Sequence, residues 1–461
     1  MEPPQAVVIT MSGIYAGINN FRTLAGYVLR RTLGRVRFWL TDRRSNLLED
    51  RRGVLYAWNT GDLDGALRYY RGEIELEGKR FSGFYRSRDL LYLSEWGVAT
   101  HFRDLLRVIE EAKNRYPAAK VFYMGHSMGS MWGELFSAYD LDCDPQTPAL
   151  GQDLLDGAVL LDGSLRPLFG VGTSAVNEEA YRRGLPFSLS GIKLSLPGVD
   201  TLREGAEIIT DLGIPGVFLA LELSALAHLL EPGKEIIQKL SESFPTVALF
   251  LQLFHGGVIS GDGSALLGLA LDDDYEPLSF ARLRMGRIRG PEIPHMNLIS
   301  LSGDSGEEIL YSPGQKDAFY RWNDQEEHRD PPPLTSLDDV AFALSYGPSN
   351  FLEWYFPLRI LVDLAVILPN FILYDTFPSW MWKYGLCFGS FERVNLPVLY
   401  VSAGKGVAPD RQSYDFWLHR TRIQDRTPLE LPDFNHLDLL LSSDPEKNPL
   451  LDALTLWLES H

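Results

Sequence analysis

The stretch KVFYMGHSMGSMWGELF contains one serine whose neighbours suit it to chemistry: Gly125-His126-Ser127-Met128-Gly129 reads G-x-S-x-G. Glycines two positions to either side leave room for a turn so sharp that Ser127 is held in a strained conformation with its hydroxyl exposed. A serine presented this way attacks a carbonyl carbon once a neighbouring base removes its proton, giving a covalent acyl intermediate. The same residues would also make a plain glycine-rich turn, so the flanking elements decide. The strand-like run KVFYMG leads directly into the turn and a helical pattern follows it, which is the context such a nucleophile requires.

A turn of that kind needs a sheet beneath it. Short apolar runs rich in β-branched or aromatic residues alternate with helical patterns, the signature of a parallel sheet with helices on both faces. AVVITM ends at Ser12-Gly13; RVRFWLTD follows the helical FRTLAGYVLRRTLG; KVFYMG follows SEWGVATHFRDLLRVIEEAKNRYP; and GAVLLDG comes after the helix that Ser127 opens. The alternation stops near residue 164 and resumes at LPVLYVSAG, followed by a helix around DRQSYDFWLHR, a strand TPLELP and a last helix NPLLDALTLWLES. Residues 165–393 between them read as mostly helices and loops with scattered Gly and Pro.

The G-x-S-x-G turn in this strand-turn-helix setting resembles the α/β-hydrolase superfamily, over residues 1–164 and 394–461. The resemblance implies an α/β-hydrolase fold: a mostly parallel sheet flanked by helices, with residues 165–393 as a large, mainly helical cap inserted before the last strands. It further implies an acid and then a histidine after the nucleophile in chain order. LPDFNHLDLL lies between the last strand and the final helix and is similar to stretches that hold the base in lipase-like members, which makes His436 the general base. Asp438 is expected to orient that loop. Relatives commonly carry the acid as G-x-x-D after the strand that here reads PVLYVSAG, but GKGVAPD puts Val407 at that spacing, with Asp410 three residues further on. The first candidate is Asp162, at the end of GAVLLDG, a placement similar to that in pancreatic lipases and haloalkane dehalogenases, with Asp410 as the alternative. Both acids stay open. By the same resemblance the backbone N–H groups of Met128 and Ile14 form the oxyanion hole, and no metal or organic cofactor is implied.

The inserted segment is rich in large apolar residues, as in FPTVALFLQLF, NFLEWYFPL and TFPSWMWKYG. Most of them would form the segment's own core. The rest would line an apolar chamber over Ser127, so the expected partner is a small molecule, a hydrophobic ester with a bulky acyl or alcohol group. A serine nucleophile disfavours dehalogenase or epoxide hydrolase chemistry. The same residues would serve amide, lactone or carbon–carbon cleavage or acyl transfer, and a non-catalytic ligand-binding member of the fold is the remoter alternative.

Other features carry less. His255 in FHGGV lies after the nucleophile and inside the insertion; Asp272-Asp273-Asp274 lacks the spacing of a calcium loop; His126 fills a variable place in the turn; and Glu95 suits a helix first turn. A formal charge of -18, from 61 acidic and 43 basic residues, disfavours nucleic acid and anionic membranes. GIPGVFLALELSALAHLLEPG and RILVDLAVILPNFILY approach membrane length, but Glu222 and Asp363 interrupt them, so buried helices rather than stable membrane insertion are expected. Cys143 and Cys387 could form at most one bridge, and are expected to be packed or half-buried thiols. The start MEPPQAVVIT has no signal-peptide pattern, which fits a cytoplasmic chain or, if a leader has been removed, a secreted one.

Overall fold

A computed structural model describes residues 2–144, 146–166, 176–189, 192–205, 212–297, 308–324, 331–347, 349–374 and 377–461. Its centre is a six-stranded sheet made of the runs read from the sequence: β1 (Ala6–Met11), β2 (Val36–Thr41), β3 (Lys120–His126), β4 (Gly157–Leu161), β5 (Val398–Ala403) and β6 (Arg426–Leu431), in the order β6-β5-β4-β3-β1-β2. Every neighbouring pair is parallel. This sheet, with its strand-turn-helix at Ser127, is the α/β-hydrolase fold. β1, β4 and β5 are buried at every position, as strands covered on both faces must be.

Alternate residues of each strand feed two cores, following the two-residue period of extended chain. Val8, Phe122, Met124 and Val159 pack on one side with Leu24 and Val28 of α1 (Arg22–Arg31) and with Leu454 and Trp457 near the C-terminus. Val7, Ile9, Val121 and Tyr123 pack on the other side with Phe102 and Leu105. That second side is covered by α2 (Val98–Arg115) and α3 (Met128–Ser137), the first side also by α9 (Leu450–Ser460). α2 begins later than the sequence suggests: Glu95 ends a preceding 3-10 turn and pairs with Arg203 at 2.7 Å.

Register brings the strand ends together. Met11 pairs with Gly125, His126 with Leu161, and Leu161 with Val401, so the chain leaves β1, β3, β4 and β5 along one edge of the sheet. Ligands of open α/β sheets bind at this carboxyl edge. Between β4 and β5 run α4 (Ile214–Leu230), α5 (Pro245–His255), α6 (Gly263–Leu271), α7 (Leu337–Ser345) and α8 (Arg359–Leu373), together with small sheets that the sequence reading did not anticipate. The acids inside the two long apolar runs are buried partners of arginines: Glu222 of α4 binds Arg51 at 3.0 Å and Asp363 of α8 binds Arg359 at 2.7 Å. No helix among the described residues is long and apolar enough to cross a membrane.

The expectation of two separate thiols is corrected. Cys143, just beyond α3, and Cys387, in the segment that returns to β5, are joined by a disulfide across 244 residues of sequence, with Cα atoms 5.5 Å apart. Their sequence distance hid a pairing that only the packing of the returning segment against α3 creates. Closing so long a loop restricts the unfolded chain strongly, so Cys143→Ala with Cys387→Ala is expected to lower stability by about 2–4 kcal/mol. Denaturant titration without reductant checks this; an unchanged midpoint would contradict it.

Candidate active site

Ser127 follows β3 with φ 58 and ψ -123, a conformation that costs a non-glycine residue free energy and persists only where its surroundings enforce it. The enforcement is steric and hydrogen-bonded. A Cβ on Gly129 would lie 2.0 Å from the Met11 carbonyl oxygen, and one on Gly125 would lie 2.2 Å from that of Gly129, so both motif glycines are required by close approach. Ser127 N donates to Leu161 O at 2.8 Å, and Ser130 Oγ donates to Gly125 O at 2.8 Å, closing the turn onto β4. The Ser127 hydroxyl itself makes no hydrogen bond among the described residues. It opens onto a cavity that His436 also lines.

Of the two candidate acids, the structure brings Asp162 to His436 and leaves Asp410 away from it. His436 Nδ1 lies 2.5 Å from Asp162 Oδ2, and both side chains are buried. The same carboxylate accepts from the backbone N–H groups of Val407 at 3.0 Å, Ala408 at 2.8 Å and Ala403 at 3.3 Å. Asp410 is exposed and instead caps a short 3-10 turn, accepting from Ser413 N at 3.0 Å and Ser413 Oγ at 3.1 Å. The physical reason is the loop after β5, which wraps Asp162 so closely that a Cβ on Gly406 would fall 1.8 Å from Oδ2. Val407, at the spacing where an acid was sought, contributes its amide to the acid of the neighbouring strand.

Two further groups fix the His436 loop. His126 Nε2 lies 3.0 Å from the His436 carbonyl oxygen, and the two rings are 4.2 Å apart. Burial, reinforced by the neighbouring His436, holds the His126 imidazole well below the usual histidine range, so the ring is neutral and Nε2–H donates. Asp438 accepts from Asn435 N at 3.0 Å, Arg284 N at 3.0 Å and Thr335 Oγ1 at 2.7 Å. Burial raises its carboxyl while these donors oppose the rise. Sequence reasoning treated His126 as a filler of the turn; only the fold places it beneath His436, 310 residues away.

The amides of Met128 and Ile14 find no acceptor among the described residues. Arg43, missed in the sequence, explains the orientation of Ile14. Its guanidinium donates to Ser12 O at 3.0 Å, Gly13 O at 2.8 Å and Ala16 O at 2.8 Å, and is itself held by Glu353 at 2.8 and 2.5 Å. In a trans peptide C=O and N–H point in opposite directions. Turning the Gly13 carbonyl toward Arg43 therefore turns the Ile14 N–H away from it.

The cavity measures about 410 Å³ and its wall is chiefly apolar, with Phe218, Leu221, Phe250, Phe254, Leu271 and Phe280 among its side chains. His255 is buried outside this wall, and burial pushes its imidazole down to about 3. Asp272 and Asp273 are engaged by protein donors: Asp272 Oδ2 accepts from Met285 N at 2.8 Å, and Asp273 pairs with Lys405 at 3.6 Å and Asn435 Nδ2 at 2.9 Å.

No family model and no curated protein matches the sequence. Among solved structures the chain is similar to a monoacylglycerol lipase of Paleococcus ferrophilus, at 11% identity and TM-score 0.35, covering 100% of this chain and 97% of that one. It is similar also to a carboxyl esterase of Bacillus coagulans, at 10% identity and TM-score 0.38 with 100% and 91% covered. The epoxide hydrolase VrEH1 of Vigna radiata stands at 12% identity and TM-score 0.38, with 100% and 93% covered.

The Arg43–Glu353 pair is buried on both sides, with side chains 1% and 0% exposed. Removing one member leaves a buried charge without its partner, which costs about 3–5 kcal/mol. Arg43→Met is thus expected to lower stability by that amount, and Arg43→Met with Glu353→Gln to recover part of it, as read by urea unfolding. Equal stability of Arg43→Met and the native chain would contradict the clamp.

Proposed function

We propose that this chain is a serine hydrolase acting on carboxylic esters with a bulky apolar acyl or alcohol group, through an acyl-enzyme intermediate. The observation that carries the reading is the Asp162–His436 pair at 2.5 Å, whose imidazole lines with Ser127 one apolar cavity at the carboxyl edge of the sheet. With Nδ1 occupied by Asp162, the imidazole has Nε2 left for proton exchange. Ser127 Oγ attacks the ester carbonyl carbon as His436 Nε2 takes its proton. The oxyanion is held by the N–H groups of Met128 and Ile14. Collapse breaks the bond to the alcohol oxygen, which receives the proton from His436. Water then attacks the acyl group with His436 again as base, releasing the acid and restoring Ser127.

In this reading residues 165–393 act as a cap that supplies most of the apolar wall, excluding water and fitting a poorly soluble ester. Arg43, His126 and Asp438 are positioning residues: the first sets the oxyanion loop, the others the His436 loop. The Cys143–Cys387 bridge supports a place of action outside the reducing cytosol.

Exposure to a fluorophosphonate followed by intact mass is expected to give one adduct, absent in Ser127→Ala. On nitrophenyl esters His436→Ala should lose about 10³-fold or more in kcat. Rates should rise from acetyl to medium-chain acyl groups. A folded chain that takes no adduct would sink the hydrolase reading, and fastest turnover of the acetyl ester would sink the apolar-ester part of it.

A further inference from the structure

The cavity wall carries a carboxyl group that the proposed mechanism does not use. Glu276, shortly after α6, lines the chamber and is 4% exposed. Its Oε1 accepts from Leu278 N at 2.8 Å, while Oε2 takes no hydrogen bond among the described residues. No arginine or lysine pairs with it there. Arg282, the nearest candidate, donates from Nε to the Glu276 carbonyl oxygen at 2.6 Å and directs its two terminal nitrogens to Glu308, the Nη2 bond measuring 2.8 Å. Asn20, on the same wall, has its amide nitrogen engaged by Gly17 O at 2.9 Å and Phe351 O at 2.8 Å.

A carboxyl in an apolar wall with one oxygen uncommitted is costly to bury unless something completes its hydrogen bonding. We infer that Glu276 is a recognition point for a hydroxyl group on the substrate, borne by the acyl or alcohol chain away from the ester being cleaved. The choice of a hydroxyl follows from charge. Burial pushes the Glu276 carboxyl up to about 8, so at neutral pH it is mainly the uncharged acid, which both donates and accepts. A neutral acid and a hydroxyl satisfy each other without burying an ion, whereas an ammonium group would bring two desolvated charges into the chamber. The inference deepens the hydrolase reading and rests on it in taking the cavity as the substrate chamber.

The test is equilibrium binding to the Ser127→Ala protein, which reads recognition without turnover. The ligands are matched nitrophenyl and alkyl esters of graded chain length, ending in methyl or hydroxymethyl on the acyl or the alcohol side. A chamber lacking a polar partner rejects the hydroxyl member by about tenfold or more. With Glu276 present, the hydroxyl ester is expected to equal or exceed its methyl partner at one chain length, and Glu276→Leu is expected to lower that ratio about tenfold. Glu276→Gln keeps the volume together with a donor and an acceptor, and should hold the ratio within about threefold of the parent. The inference is overturned if every hydroxyl ester binds more weakly than its methyl partner to Ser127→Ala, if the ratio is unmoved by Glu276→Leu, or if ammonium-ended esters outbind the hydroxyl ones. Hydroxyl-selective binding by a chain that hydrolyses no ester would defeat the hydrolase reading and leave the subsite in place.

Discussion

The Asp162 carboxylate is the point at which the sheet's carboxyl edge is tied together. It sits at the end of β4 with φ 44, accepts the backbone N–H of Ala403 at the end of β5 and those of Val407 and Ala408 in the loop after it, and reaches His436 from the loop after β6. These donors give hydrogen bonds to both oxygens of a fully buried carboxylate, and they come from the strand next in the sheet and the loop that follows it. The arrangement therefore needs the β4–β5 register, the tight loop at Gly406 and the β6 loop together. In the proposed mechanism the same carboxylate selects the His436 tautomer, so the geometry of the sheet and the direction of proton transfer are one constraint.

The intervening segment is bound to the sheet by buried charge as well as by apolar contact. Arg43, after β2, meets Glu353; Arg51 meets Glu222 of α4; and Asp363 of α8 accepts Val98 N at the start of α2, at 2.8 Å, besides binding Arg359. Such pairs contribute little net stability compared with well-packed apolar residues, but breaking one side is severe, so they fix how the segment sits more than how strongly. Arg43 gives that fixation a consequence at the site, because its other donors hold the carbonyls of the Ser12–Ala16 loop. A displacement of Glu353 would reach the Ile14 amide through a single side chain.

What could be read in the sequence follows the range of the interactions. The inner strands β1, β3, β4 and β5 are legible because strands buried on both faces leave nearly continuous apolar runs, the edge strands β2 and β6 by their place in the alternation with helices, and the Ser127 turn because its steric demands fall within five residues. His436 was legible by resemblance and by its place between the last strand and helix. The candidate acid is legible only as a pair, Asp162 first and Asp410 as the alternative, because Asp162 and His436 are 274 residues apart and the folding of the loop after β5 over Asp162 leaves no local signal. Arg43 with Glu353, His126 beneath His436, and Cys143 with Cys387 share that property, each joining positions whose proximity only the closed fold creates. Glu276 escaped notice for a different reason, since an acid followed by Pro277 in a loop reads as solvated surface.

In the proposed mechanism Asp162, and not Asp410, completes the assembly with His436 and Ser127. The second-order rate of Ser127 phosphonylation by a fluorophosphonate, compared between Asp162→Asn and Asp410→Asn, tests it most directly. The account predicts a fall of about 10³-fold or more for Asp162→Asn, through loss of the imidazole tautomer and its charge stabilisation. It predicts a rate within about threefold of the native chain for Asp410→Asn, an exposed cap. A large loss in Asp410→Asn with Asp162→Asn near the native rate would contradict it.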